Sequence, residues 1–290
     1  MELLTFLQIL GGFVVAKFLY NQWKIFSLYF FARDFDFKGV AEDGYALITG
    51  GAEGIGKQCA LYFAKKGVNL VLVDFNERKL DETAKEIKEN YSISLITKVM
   101  DLTTLHDPEV YASFEKEMLK QKISILFNNA GMTEEKIAFW NYAGSTPSKV
   151  SKIMTLNAEV PVLMTRMVLP GMLERKKGVL MHMGSAAGLA PMDANPVYAA
   201  TKSHVVRLKA WTSLTTFLTN GIKKKVYENT MERLKDIAFP KVETWFASAI
   251  KTVGTGQNES GGSWLFELFS NYLIMHFDFK RLKTIIDLSE

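Results

Sequence analysis

Tyr45-Ala46-Leu47-Ile48-Thr49-Gly50-Gly51-Ala52-Glu53-Gly54-Ile55-Gly56 decides the fold: a short apolar run passes through a glycine-rich turn into a stretch of helical periodicity. A buried strand that runs at once into a helix is the first half of a crossover unit, and crossovers of helical length join parallel strands. The glycines do more than turn the chain. Backbone N–H groups at the start of a helix, with no side chain in the way, can meet a pyrophosphate. Glycine turns are common, and strand, turn and helix in this order make the dinucleotide reading specific.

The same alternation continues outward. Buried strands are expected at residues 45–49, 69–74, 94–100, 123–127 and 178–183, with helices at 55–66, 77–89, 108–120 and 149–173 between them. The fold class is therefore α/β, a doubly wound parallel sheet of Rossmann type, in a domain placed at residues 40–256. Asp74 closes the second strand. A carboxylate there can accept hydrogen bonds from the adenosine ribose and repel a 2′-phosphate, which favours NAD over NADP. It could also be a helix cap or a solvated loop acid, and Arg78 nearby could receive a phosphate.

Tyr198 and Lys202 lie one helical turn apart, downstream of Ser185. A positive charge beside a phenol stabilises phenolate, so a group that titrates near ~10 in water can exchange protons near neutrality. Carbonyl reduction and alcohol oxidation both require such a proton carrier. Structural readings compete for each residue: a core tyrosine, a lysine on a solvated helix face, and a strand-end serine that satisfies loop backbone.

The glycine turn, Asn128-Asn129-Ala130-Gly131, Asn157, Ser185 and Tyr198-Ala199-Ala200-Thr201-Lys202 together resemble the short-chain dehydrogenase/reductases. The resemblance runs from about residue 45 to residue 202. It implies that NAD or NADP is held by Thr49, Gly50, Glu53, Gly54, Ile55, Gly56, Asp74, Asn128, Ala130 and Gly131, with Asp101 touching the adenine. It further implies that Ser185 binds the substrate oxygen and that Tyr198 is the acid/base. Lys202 would lower the tyrosine pKa and bind the nicotinamide ribose, and Asn157 would hold a water that links Lys202 to solvent.

Residues 169–178 and 248–254, with the apolar N-terminus, look like the membrane-bound 17-beta-hydroxysteroid dehydrogenase and very-long-chain 3-oxoacyl-CoA reductase branch. That branch implies a hydroxysteroid or 3-oxoacyl-CoA substrate and the endoplasmic reticulum membrane. It also implies a homodimer through the helices that hold Lys149 and Ser203.

Residues 1–34 read as a membrane anchor: the run from Leu3 to Tyr20 is almost wholly apolar, and Lys17, Lys24 and Arg33 follow or close it. Positive charge after the span places the body in the cytosol. A surface-lying or buried helix is the alternative. The chain is 48% hydrophobic and 23% charged, with a net charge of +4 from lysines scattered among acids, so nucleic acid is not an expected partner. Cys59 is the sole cysteine, and His106, His182, His204 and His276 are dispersed, so no metal site is expected.

The family pattern breaks after Lys202. Residues 203–219 read as a helix with Val206, Leu208, Trp211, Leu214 and Leu218 on its packing face, stopped by Asn220-Gly221. No apolar strand and no Pro-Gly turn follow Lys223-Lys224-Lys225; residues 226–239 read as an amphipathic helix, 257–263 as a loop, and 257–290 as an apolar extension. A missing strand would uncover the fifth strand and part of the nicotinamide pocket. The competing expectation is thus a membrane-tethered cofactor- or lipid-binding scaffold.

Overall fold

The computed structural model describes residues 2–31, 35–133, 146–188, 195–208, 215–218 and 259–260. Strands β1 (Tyr45–Thr49), β2 (Asn69–Asp74), β3 (Leu95–Val99), β4 (Ile123–Asn128) and β5 (Val179–Met183) are all parallel. Two short strands, β6 (Thr215–Leu218) and β7 (Glu259–Ser260), extend the sheet to the order β3-β2-β1-β4-β5-β6-β7. The order reverses between β1 and β4, with β2 and β3 on one side of that pair and β5 on the other, so the carboxyl ends of β1 and β4 mark the switch point of the sheet.

Successive side chains explain why the strands are apolar throughout. Ile48, Leu72, Phe127 and Met181 pack against Phe63 of α3 (Gly54–Lys65) and Leu80 and Ile87 of α4 (Glu77–Asn90). Their neighbours Leu47, Val71, Leu126 and Leu180 face the other way, onto Phe114 of α5 (Pro108–Met118) and Met164 and Met172 of a later helix, Val160–Glu174. With helices on both faces, the strands need no polar side.

The stretch expected to be one helix over residues 149–173 is a helix at Pro147–Met154 (α6), a π-helical turn at Thr155–Glu159 and a helix at Val160–Glu174 (α7). Helix α8 (Pro196–Leu208) carries Tyr198 and Lys202. The expected helix over residues 203–219 is corrected in part: α8 is described as Pro196–Leu208, and Thr215–Leu218 is a strand paired with β5, Leu180 opposite Thr215 and Met183 opposite Leu218. The open edge of β5 is a stronger demand than the helical spacing of the apolar residues, and Thr215-Thr216-Phe217 suits a strand. Likewise, Glu259–Ser260, expected within a loop, pairs with β6. The expectations for residues 226–239 and 248–254, and for the extension at 257–290 apart from Glu259–Ser260, lie outside the described residues.

Before the sheet, α1 (Glu2–Phe31) is a helix, and Leu4 to Trp23 is long and apolar enough to cross a membrane, with none of it buried. The short helix α2 (Phe37–Ala41), capped by Asp36, docks the entering chain on the body. Phe37 is 1% exposed and meets Phe63 edge-on at 5.0 Å between ring centres.

Candidate active site

The glycine turn closes on itself. Gly50 and Gly54 have φ of +66° and +57°, a region that side chains other than glycine rarely enter. At Gly56 the limit is space: an added Cβ would lie 1.9 Å from the Gly50 carbonyl oxygen. Glu53 sits at the cap of α3, yet its side chain caps no N–H and instead pairs with Lys79. The first N–H groups of α3 are thus uncapped by that residue, and a Cβ at Gly54 would meet nothing within 4 Å. A positive helix end over open space, reached by bare backbone, fits a pyrophosphate. Ile55 is half-buried and packs on the core below the turn.

Thr49 ties this turn to the loop after β4. Its hydroxyl accepts from the N–H groups of Asn129 and Ala130 at 3.0 and 3.1 Å, and Asn129 Nδ2 donates to the carbonyls of Thr49 and Gly50, both at 3.0 Å. Asp74, 7% exposed, accepts from Ala52 N–H and Asn76 N–H, each at 3.0 Å and each on a different carboxylate oxygen. Each oxygen keeps a lone pair for a further donor. Asp101 is exposed and caps the 3-10 turn Leu102–His106 through Thr103 N–H at 2.9 Å. Asn128 points into the core, where Nδ2 donates to the Pro161 carbonyl at 3.3 Å and contacts His182 Nδ1 at 3.2 Å.

The π turn sets Asn157. Val160 N–H reaches back to the Thr155 carbonyl, and Asn157, 1% exposed, accepts from Met132 N–H at 2.9 Å while donating to the Met132 carbonyl at 2.7 Å and to Thr201 Oγ1 at 3.2 Å. Its amide is a clasp between the π turn, the β4 loop and α8. Gly131 sits between Asn157 and Lys202: a Cβ there would lie 3.2 Å from Asn157 Oδ1 and 3.5 Å from Lys202 Nζ.

Ser185, Tyr198 and Lys202 come together at the end of β5. The Ser185 hydroxyl hydrogen-bonds the Tyr198 phenol and also accepts from Ala187 N–H at 3.2 Å. Lys202 Nζ lies 5.6 Å from the centre of the Tyr198 ring and donates to the Met183 carbonyl at 2.8 Å. Burial pushes the phenol above its ordinary range and the Ser185 hydrogen bond pulls it back. Burial also lowers Lys202, to about 8. The lowering of the tyrosine expected from Lys202 is not seen in this geometry, where burial outweighs the Ser185 hydrogen bond.

Residues 44–222 match the short chain dehydrogenase family. The very-long-chain 3-oxoacyl-CoA reductase of Caenorhabditis elegans is 32% identical over 273 residues, covering 87% of this chain and 83% of its own. That of Bos taurus is 30% identical over 223 residues, covering 75% and 70%. Among solved structures, a short-chain dehydrogenase from Sphingobium yanoikuyae in complex with NADPH superposes with a TM-score of 0.65 at 24% identity, over 75% of this chain and 86% of that one. The chain belongs to the short-chain dehydrogenase family. It falls in the branch of the very-long-chain 3-oxoacyl-CoA reductases, and it is an NAD(P)-dependent oxidoreductase of CH–OH groups.

In this short-chain dehydrogenase several residues that build the site were not singled out from sequence. Asn129, Thr201 and Met132 clasp its three loops, and Thr83 Oγ1 holds the Ala52 carbonyl at 2.8 Å. Asn129 and Thr201 were within quoted motifs, so position was a signal; the role of Met132 is through backbone alone and leaves no mark in the sequence.

Proposed function

We propose that this dehydrogenase is a membrane-anchored oxidoreductase that acts on the keto or hydroxyl group of a lipid, a 3-oxoacyl-CoA or a hydroxysteroid, with NAD favoured over NADP. The observation that carries this reading is the meeting of Ser185, Tyr198 and Lys202 at the end of β5, beside a glycine turn stapled to β4. The bound nicotinamide supplies or accepts the hydride.

The chain's own residues do the rest. The Ser185 hydroxyl hydrogen-bonds the reacting oxygen and orients it toward Tyr198. In reduction the Tyr198 phenol passes its proton to that oxygen as negative charge develops there; in oxidation it takes the proton away. Lys202, once a substrate and dinucleotide exclude water, is the cation that stabilises the phenolate left behind. The Asn157 clasp keeps Lys202 and the β4 loop in register.

The names of the relatives point to a fatty-acyl substrate. The unburied apolar helix α1 supports an anchor that delivers bilayer-partitioned ligands to the cleft, with the body facing the cytosol from the endoplasmic reticulum membrane. Purified protein in lipid nanodiscs, given NADH or NADPH with a panel of 3-oxoacyl thioesters and ketosteroids, should show loss of nicotinamide absorbance with at least one member. Dinucleotide binding with no turnover across the panel would replace this reading with the scaffold.

A further inference from the structure

The end of the sheet opposite the cleft carries a basic and apolar surface that the reaction does not use. Because the strands are parallel and each crossover helix runs back along them, the C-termini of α3, α5 and α7 lie at one end with the starts of the strands they lead into. The chain enters the body there: α2 precedes β1, and Tyr45 N–H donates to the Lys122 carbonyl at 2.8 Å. Glu42 and Asp43, which follow α2, pair with Lys122 and Lys177 at 2.7 to 2.8 Å. Around that cluster Lys65, Lys66, Lys120, Arg175 and Lys176 are exposed, with Glu174 as the acid among them. Basic residues after a helix complement its dipole. Leucines do not, yet Leu119 at the cap of α5 and Leu173 in the last turn of α7 are 52% and 58% exposed. The two helices are neighbours, joined by the Arg166–Glu115 pair and by the Tyr111 hydroxyl on the Leu163 carbonyl, and Arg175 reaches the start of β4, donating to the Ile123 carbonyl at 2.8 Å.

On the reading of α1 as a membrane anchor, we propose that this end of the body is a docking face for an anionic bilayer surface. The two leucines enter the headgroup layer and the cations around them meet lipid phosphates and carboxylates. Chain length favours this occupant: α1 ends at Phe31 and α2 begins at Phe37, so the five residues between them reach at most about 20 Å when fully extended, and the entry end of the body stays close to the end of α1. Charge favours it as well. A symmetric contact with a second copy would set this patch against itself and oppose its cations to one another, whereas anionic lipid neutralises them. With this end on the bilayer, the glycine turn and Ser185, at the carboxyl ends of the strands, stay open to the water from which a charged dinucleotide arrives.

The test is fluorescence quenching of the full chain in nanodiscs. Cys59 is the sole cysteine and is buried, so one added cysteine takes the label. Leu173→Cys reports the proposed face, and Phe75→Cys, at a residue 73% exposed beyond the carboxyl end of β2, reports the opposite end. The discs are phosphatidylcholine alone or phosphatidylcholine with phosphatidylserine, each carrying a lipid with a nitroxide on its headgroup. In the anionic discs the label at position 173 should be quenched at least about three-fold more than the label at position 75, and more than it is in phosphatidylcholine alone. Lys120→Glu together with Lys176→Glu, or high salt, should return it to the phosphatidylcholine level, since each lysine near an anionic surface is worth roughly five-fold in the docked population. Equal quenching at the two positions, or quenching at position 173 that ignores phosphatidylserine and both lysines, overturns the proposal while leaving the anchor standing. A label at position 173 that is shielded from aqueous iodide but not quenched by the lipid places protein on this face and overturns it too. Release of the full chain by carbonate washing removes the anchor, and this inference with it.

Discussion

Burial raises the Tyr198 phenol above its ordinary 10.0 and lowers the Lys202 ammonium from 10.5 to about 8, so at neutral pH the phenol holds the proton it has to give and the lysine is still charged. Lys202 is 4% exposed and, among the described residues, has one hydrogen bond, to the Met183 carbonyl, beside the face of the Tyr198 ring. Lys202→Met should therefore reduce turnover by on the order of 10²-fold or more while leaving the melting temperature level or higher; a loss of activity matched by a loss of stability would make the residue structural. The unfolded chain holds the Lys202 proton up to about 10.5 and the folded chain only to about 8, so unfolding takes up a proton between those values and folding stability rises with pH across them. Relative to Lys202→Met, the wild type should gain roughly 3 kcal/mol over that window in denaturant titrations. His182, 1% exposed, shows the same sign at acid pH: burial, then the nearby Lys202 charge, lower it from 6.5 to about 4, so stability is present above 6.5 and lost as pH falls toward 4. A His182→Gln chain should lack that acid loss, on the order of 3 kcal/mol, and an unchanged acid profile would contradict the assignment.

At the scale of elements, the site is held by clasps between loops, and each clasp makes a separate prediction. Asn157→Ala leaves Met132 N–H and C=O without their partner, and should cost about 1–3 kcal/mol of stability measured by chemical denaturation. The glycine turn offers an internal control. Gly56→Ala places a methyl against the Gly50 carbonyl and should distort the turn, whereas Gly54→Ala meets open space in the protein, costs about 1–2 kcal/mol for its positive φ and puts its methyl where the pyrophosphate is expected, so it should weaken dinucleotide binding beyond its loss of stability. A Gly54→Ala chain that binds dinucleotide as tightly as the wild type would mean that the turn does not cradle a ligand. These contrasts also separate what was legible in the sequence from what was not. The strands β1 and β2 were readable to the residue because burial on both faces leaves an uninterrupted apolar run between a polar start and a glycine or acid. The π turn at Thr155–Glu159 was not, since one widened turn hardly disturbs helical spacing. Strand β6 was hidden because Val206, Leu208, Trp211, Leu214 and Leu218 carry helical spacing, and only the open edge of β5, distant in sequence, selects a strand. The Ser185, Tyr198 and Lys202 grouping was legible through its order along the chain, but the Glu53–Lys79 pair was not, for a charged residue in a turn reads as solvated until the fold brings α4 beside it.

For the whole molecule, the parallel sheet gathers every candidate residue at the carboxyl ends of its strands, and the chain enters the body from the opposite ends through α2. Leu4, Phe6, Ile9, Phe13, Leu19 and Trp23 of α1 are all more than half exposed, an extended apolar surface, and the proposed anchor makes a prediction from it. The full chain should remain in the membrane pellet after alkaline carbonate washing, and a chain that starts at residue 35 should move to the supernatant with its dinucleotide affinity intact; release of the full chain would remove the anchor. The central claim is that Tyr198 carries the proton while hydride moves between a nicotinamide and a lipid carbonyl. It is tested most directly by incubating the protein with nicotinamide dinucleotide deuterated at the transferable position and a long-chain 3-oxoacyl thioester, then weighing the product. The wild type should yield a 3-hydroxyacyl product one deuterium heavier, and Tyr198→Phe, folded and still binding dinucleotide, should yield almost none; equal label from the two would contradict the account.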